Sequence, residues 1–187
     1  MAKKIYMSNL ITNIEVTDLI NDNNFDKLLI NDNYVSMAEQ KHLVNLLGQR
    51  LYVDVMNNQT TYATLLDGGN YTYSSYTYNF IGVKKFLAWA SLFEAISFVQ
   101  TKIKSKGIMH ESGEFSNNVD SKEADRIRNI CFLNMQSIAQ QITDYLQRNT
   151  STYTLYYDSE NAYSTIGIYG GIIFKNNKTT KKEDENY

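Results

Sequence analysis

The sequence predicts a mainly α protein: a helical bundle around one buried central helix, with a small Tyr-rich β-hairpin and a C-terminal β-rich or extended arm. Three observations carry this. Wound as a helix at about 3.6 residues per turn, residues 83–104 place Phe86, Leu87, Trp89, Ala90, Leu92, Phe93, Ala95, Ile96, Phe98, Val99 and Ile103 over most of the circumference. Lys84, Ser91, Glu94, Thr101 and Lys102 share one narrow stripe. A helix apolar on nearly every side belongs inside a bundle. A second, longer run has Ile127, Cys131, Met135, Ile138, Ile142 and Tyr145 recurring every three or four residues up to Arg148. At Asn149 the character changes, and Asp158 and Glu160 are the only charges before residue 175 in a stretch rich in Tyr, Thr, Ile and Gly.

In chain order, residues 1–14 have no clear period and read as a loose lead-in. Thr17 is positioned to cap a short helix over residues 18–21, and the Asn-Asp-Asn-Asn cluster at 21–24 is a turn. A short helical turn before residue 30 precedes a helix over 34–47, its stripe sampled by Tyr34, Met37, Lys41, Val44 and Leu47. Gly48 stops it through a left-handed backbone. A further helix over 49–56 gathers Leu51, Tyr52 and Val55 on one side and closes at Asn57-Asn58. Residues 61–66 fit neither helix nor strand clearly, and Asp67-Gly68-Gly69-Asn70 is a turn.

The hairpin follows from period-two geometry. With Ser74-Ser75 at the tip, Tyr73 faces Tyr76 and Tyr71 faces Tyr78, so all four rings share one face and Thr72 and Thr77 the other. Ser-Ser is a poor two-residue turn, since the primed turns favour Asn and Gly. After the central helix, Lys102, Lys104 and Lys106 suit a helix C-terminus and Gly107 ends it. Residues 107–119 read as a polar loop. Asp120-x-x-Glu123 is a capping box opening the last helix, about 43 Å long. Residues 1–149 thus form a helical domain with its hairpin at about 70–79. Residues 150–175 form the arm, with strands over 152–157 and 163–169, a Gly170-Gly171 hinge and Ile172-Ile173-Phe174. Residues 176–187 form a charged, disordered tail.

The totals bound the function. At 187 residues the chain makes one domain with its own core. A net charge of −2 gives no global basic field for nucleic acid or anionic membrane. One cysteine excludes an internal disulfide and a Cys-rich zinc site. No targeting segment and no span long enough for a bilayer are read in the sequence. Cys131 lies on an apolar stripe, where a small buried hydrophobe is the plain reading. His42 sits near the polar face of its helix and His110 in the loop, neither with a metal-spaced neighbour. Glu111 and Glu114 share that loop. Asp120, Glu123 and Asp125 are explained by capping and the helix dipole. The Gly pairs lack the Lys-Ser/Thr of a phosphate loop, and the tyrosines lack the interleaved Lys or Arg of a base-stacking platform. No catalytic, cofactor or metal site is expected. The unpaired aromatic segment from Tyr153 to Phe174 is left, with open strand edges that invite addition to another chain or folding back on the bundle.

Three stretches carry a family resemblance. Leu46-Leu47-Gly48-Gln49-Arg50-Leu51-Tyr52, the run from Tyr76-Thr77-Tyr78-Asn79-Phe80-Ile81-Gly82-Val83-Lys84-Lys85 to Trp89, and Lys102-Ile103-Lys104-Ser105-Lys106-Gly107-Ile108 resemble, in order and spacing, motifs of head–tail connector (adaptor or head-completion) proteins of Bacteroidota-infecting, crAss-like tailed phages. The likeness covers roughly residues 16–146. It implies a virion structural protein, made in the host cytoplasm and placed at the head–tail interface. A homo-oligomeric ring, a dodecamer, would dock beneath the portal protein, contact further connector or tail proteins and pass DNA through its channel without specific binding. Gly48, Gly82 and Gly107 would then be scaffold, with Trp89 and Phe93 in the core. The arm has no counterpart in the motifs. Tyr71, Tyr73, Tyr76 and Tyr78 on the hairpin, and Tyr153, Tyr156, Tyr163, Ile166, Ile168, Tyr169, Ile172 and Phe174 on the arm, are the candidate protein-interface residues. The alternative is a small monomeric binding module that uses the Tyr hairpin.

Overall fold

Thr12 opens the first helix. Its hydroxyl and its amide both meet the Glu15 carboxylate, at 2.9 and 2.7 Å, and the Glu15 amide donates back to the Thr12 hydroxyl. This reciprocal Thr-x-x-Glu box starts α1 at Asn13–Ile20, earlier than expected. Thr17, expected as the cap, lies inside the helix and its hydroxyl donates to the Ile14 carbonyl. The residues described by this computed structural model are 9–20, 30–99, 101–104, 107–110 and 121–156. The turn expected at 21–24 and the helical turn after it lie outside them. The lead-in is not loose throughout: Leu10 and Ile11 are buried.

Asn31 caps the next rod, its side-chain oxygen accepting from the Asn33 and Tyr34 amides. The rod is α2 (Asp32–Ala38), a π-helical segment (Glu39–Leu43) and α3 (Val44–Leu47). Its buried stripe is Val35, Ala38, Glu39, His42, Leu43 and Leu47, not the expected Tyr34, Met37, Lys41 and Val44. Two of the buried positions are polar, so apolar periodicity alone selects the wrong phase. Gly48 ends the rod at φ +79°, a conformation costly for any residue with a Cβ. Beyond it α4 (Gln49–Asn57) buries Leu51, Tyr52 and Val55 as expected. The ambiguous stretch resolves into α5 (Ala63–Asp67).

The Tyr-rich hairpin is β1 (Gly69–Tyr73) and β2 (Tyr76–Phe80), antiparallel, with Tyr71 opposite Tyr78 and Tyr73 opposite Tyr76. Ser74 and Ser75 at its tip have φ of +49° and +69°, as a type I′ turn requires. The root is a backbone crossing. A Cβ on Gly68 would stand 2.4 Å from the Ile81 carbonyl oxygen, and one on Gly82 would stand 2.5 Å from the Gly68 nitrogen.

The central helix, α6, runs Val83–Val99. It lies against α1, α2, α5 and α7, which accounts for apolar residues on nearly every side. It stops short of the expected residue 104. Thr101–Lys104 is a strand, β3, paired antiparallel with β4 (Gly107–His110). Thr101 and Ile103 are β-branched and alternate with Lys102 and Lys104, a period-two pattern that a helical wheel absorbs. Gly107 therefore pairs with Lys104 in a hairpin instead of stopping a helix, and Lys102 and Lys104 sit on a strand rather than a helix C-terminus, while Lys106 lies outside the described residues. The capping residue Asp120 lies outside the described residues. The last helix, α7 (Ser121–Arg148), packs on α6 and buries Cys131, Met135, Ile138, Ile142, Tyr145 and Leu146. A 3₁₀ turn at Thr154–Tyr156 stands where a strand over 152–157 was expected. Asn149 explains this: its carbonyl accepts from the Thr152 and Tyr153 amides and turns the chain back on itself. The fold is mainly α with a small hairpin. The strand expected over 163–169 lies outside the described residues.

Candidate interaction surface

The candidate surface is built where the hairpin meets the end of α7. Phe80, last in β2, stacks on Tyr145 at 4.2 Å between ring centres, and Tyr71 meets the same Tyr145 edge-on at 4.9 Å. Tyr71 also stacks on its cross-strand partner Tyr78 at 5.5 Å. Arg148 closes the group. Its guanidinium lies 4.1 Å from the Tyr78 ring centre and 5.6 Å from that of Tyr73, and it donates to the Tyr71 hydroxyl at 3.0 Å. Period two puts the rings on one side, the turn fixes their register, and α7 supplies a cation over the aromatic faces. The four tyrosines are not equivalent. Tyr71 and Tyr78 are half-buried against α7, whereas Tyr73 is 45% and Tyr76 70% exposed. The outer half of the ladder faces solvent and the inner half ties the hairpin to the body.

Of the arm residues, Tyr153 is buried, and its hydroxyl lies 2.9 Å from that of Tyr145. Burial, then the Tyr145 hydrogen bond, pushes its phenol above the ordinary range. Tyr153 also lies against Tyr62, whose hydroxyl donates to Asp54. Burial and that bond push the Tyr62 phenol up to about 12. Tyr156 is half-buried and hydrogen-bonded to Thr143. The root of the arm is thus part of the body. Tyr163, Ile166, Ile168, Tyr169, Ile172 and Phe174 lie outside the described residues.

The expected scaffold residues divide. Gly48 and Gly82 hold positive-φ backbone. Lys84, in the motif after Gly82, pairs with Asp67 of α5 at 2.7 Å. Trp89 and Phe93 flank the core, half-buried, rather than filling it. Phe93 sits between the Arg128 guanidinium, 4.8 Å from its ring centre, and the edge of His42.

Sequence reasoning missed a buried polar group one layer in. Glu94 on α6 holds His42 Nε2 at 2.8 Å and Lys41 Nζ at 2.7 Å. Burial pushes its carboxyl up, but the hydrogen bonds and charges of Lys41 and His42 outweigh this and leave it below the ordinary range. Burial holds the His42 imidazole below its ordinary value, with only partial opposition from Glu94. His42 is buried, not on a polar face. Glu39 accepts the Leu10 amide at 2.6 Å and the Tyr52 hydroxyl at 3.3 Å, and burial outweighs both bonds to raise its carboxyl. The signal was the i, i+3 pairing of Glu39 and His42 on an otherwise apolar stripe. Cys131 is fully buried and its thiol is pushed up to about 12, away from the thiolate that reactivity needs. Asp125 is exposed. Among the described residues no group of three or more His, Cys, Asp and Glu is placed to hold a metal, and no helix is long and apolar enough to cross a membrane.

The sequence profile of a family of unknown function, DUF6712, matches residues 43–166, spanning α3 to α7 and the root of the arm. No curated protein and no solved structure matches the chain.

Proposed function

The chain belongs to DUF6712, and we propose that it is a structural subunit of a tailed-phage head–tail connector, a ring docked beneath the portal that carries the DNA channel towards the tail. The observation that carries this reading is the contact surface at one end of a helical body. Tyr73 and Tyr76 stand outward, with Arg148 over the Tyr73 ring, beside the root of a Tyr- and Ile-rich arm whose only charges before residue 175 are Asp158 and Glu160. Tyr and Arg are the residue types that dominate protein interfaces, and an extended arm adds main-chain contacts. The motif resemblance around Gly48 and Gly82–Trp89 supports the same role. The body supplies rigidity, the hairpin and arm supply the joints, and DNA passes without a specific grip.

Light scattering of the full chain, alone and with the portal from the same virion, tests this. The expected result is a defined multi-subunit particle on the portal. A chain that stays monomeric in both conditions overturns the adaptor reading. Binding of a single copy to another protein through Tyr73 and Tyr76 would replace it with the monomeric binding module, the reading that exposure of those two rings favours.

A further inference from the structure

We infer that the edge of the Tyr hairpin is the acceptor for residues 163–169 of a second copy of this chain. The inference rests on the ring reading above. It starts from two open edges. In a two-residue antiparallel hairpin the pairs next to the turn alternate between bonded and non-bonded. With Tyr73 opposite Tyr76 at the turn, the main-chain groups of Asn70, Thr72, Thr77 and Asn79 point out of the ribbon. All four residues are exposed, and among the described residues no third strand joins this sheet. A two-stranded ribbon is marginal by itself, and such edges are templates for a further strand.

The direction of the chain selects the donor. The exposed rings stand at the Arg148 end of α7. After Arg148 the chain doubles back. The Asn149 carbonyl takes the Tyr153 amide, Tyr153 settles beside Tyr145, and Tyr156 reaches Thr143, further back along the same helix. As far as Tyr156, therefore, the chain runs back along α7, away from its own hairpin tip. A hairpin edge on one copy that takes a segment of the next copy makes a head-to-tail contact, the kind that closes into a ring. The donor fits the edge chemically. Residues 161–174 carry no charge, and 163–169 alternate Ser164, Ile166 and Ile168 with Tyr163, Thr165, Gly167 and Tyr169. One face of the added strand would extend the Tyr ladder.

Two full-length variants test this. Thr72→Pro with Thr77→Pro removes outward donors from both edges while leaving the Tyr face, so this copy can donate but not accept. Ile166→Pro with Ile168→Pro breaks the arm strand, so that copy can accept but not donate. Each is measured by light scattering over a concentration series, with circular dichroism confirming an unchanged helical signal. The wild-type chain is expected to self-associate, each variant to stay monomeric, and an equimolar mixture to stop at a one-to-one dimer. A hairpin variant that assembles like the wild type overturns the inference while leaving the ring reading intact. A mixture that stays monomeric overturns it in favour of an arm that folds on its own body. A wild-type chain that is monomeric alone but multiple on the portal also overturns it, because assembly then comes from the portal and the ring reading survives.

Discussion

At the scale of residues, the most consequential groups are polar ones at buried positions. Removing the imidazole in His42→Ala leaves the Glu94 carboxylate buried with only Lys41, and breaking a buried pair in this way costs several kcal/mol. Because the Lys41 side chain is 52% exposed and keeps Glu94 partly compensated, the expected loss is about 3 kcal/mol, read from urea denaturation. The pH response has a defined sign. His42 is held below its ordinary value of 6.5, so below that pH the unfolded chain takes the proton first. Stability falls as pH drops from 6.5 towards the folded value. Glu94, also held low, adds a loss at more acid pH, as its folded value is approached. Glu39 works the other way. Its folded value lies above 4.5, so its contribution is present below 4.5 and is lost as pH rises through the raised value. His42→Gln should therefore flatten the fall in melting temperature between about pH 7 and pH 5.5, and an unchanged slope would remove His42 as its source. This layer was the least legible part of the sequence. A polar residue at a core position subtracts from the apolar pattern that would reveal its helix face, so Glu39 and His42 hid both themselves and the true phase of their rod.

At the scale of elements, the hairpin depends on its root more than on its tip. Gly82 has φ +95°, and any Cβ there would meet the Gly68 nitrogen, the Asp67 carbonyl carbon and the Leu66 carbonyl oxygen within 2.7 Å. Gly82→Ala should cost about 3 kcal/mol or more, combining backbone strain with a clash against main chain. Gly69 is the matched control. It has φ +136°, but a methyl placed there would meet open space, so Gly69→Ala should cost about 1 kcal/mol. Similar values for the two in thermal melts would mean that strain alone matters. The tip runs the opposite way. Ser74 and Ser75 hold positive φ without being Gly or Asn, so Ser74→Asn with Ser75→Gly should gain about 1 kcal/mol and raise the melting temperature by about 2–4 °C. The register and ring face of this hairpin could be read directly from the alternation of Tyr and Thr. The second hairpin could not, because Thr101–Lys104 follows an apolar helix and its short alternation reads equally well as one more helical turn.

At the scale of the whole molecule, the helical plan was legible because α6 and α7 are long and their patterns strong. The junction between body and arm was not. Composition changes at Asn149, but packing does not: Tyr153 is buried, and Leu155 and Tyr156 lie against the core. A chain ending after Tyr156 should keep the helical circular-dichroism signal and most of its stability. One ending after Asn149 loses the Tyr153 ring and its hydrogen bond to Tyr145, at about 3–5 kcal/mol, and should melt markedly lower. Equal melting of the two would place Tyr153 outside the cooperative core. The backbone crossing of Gly68 and Gly82 has a consequence for descent as well. A ribbon seated by main chain on main chain does not rely on its own side chains for its seat. Its outer rings are therefore free to be replaced as contact partners change, while its two root glycines are not. Related chains should diverge at positions 73 and 76 and keep glycine at 68 and 82, so that one body can be fitted to different neighbours.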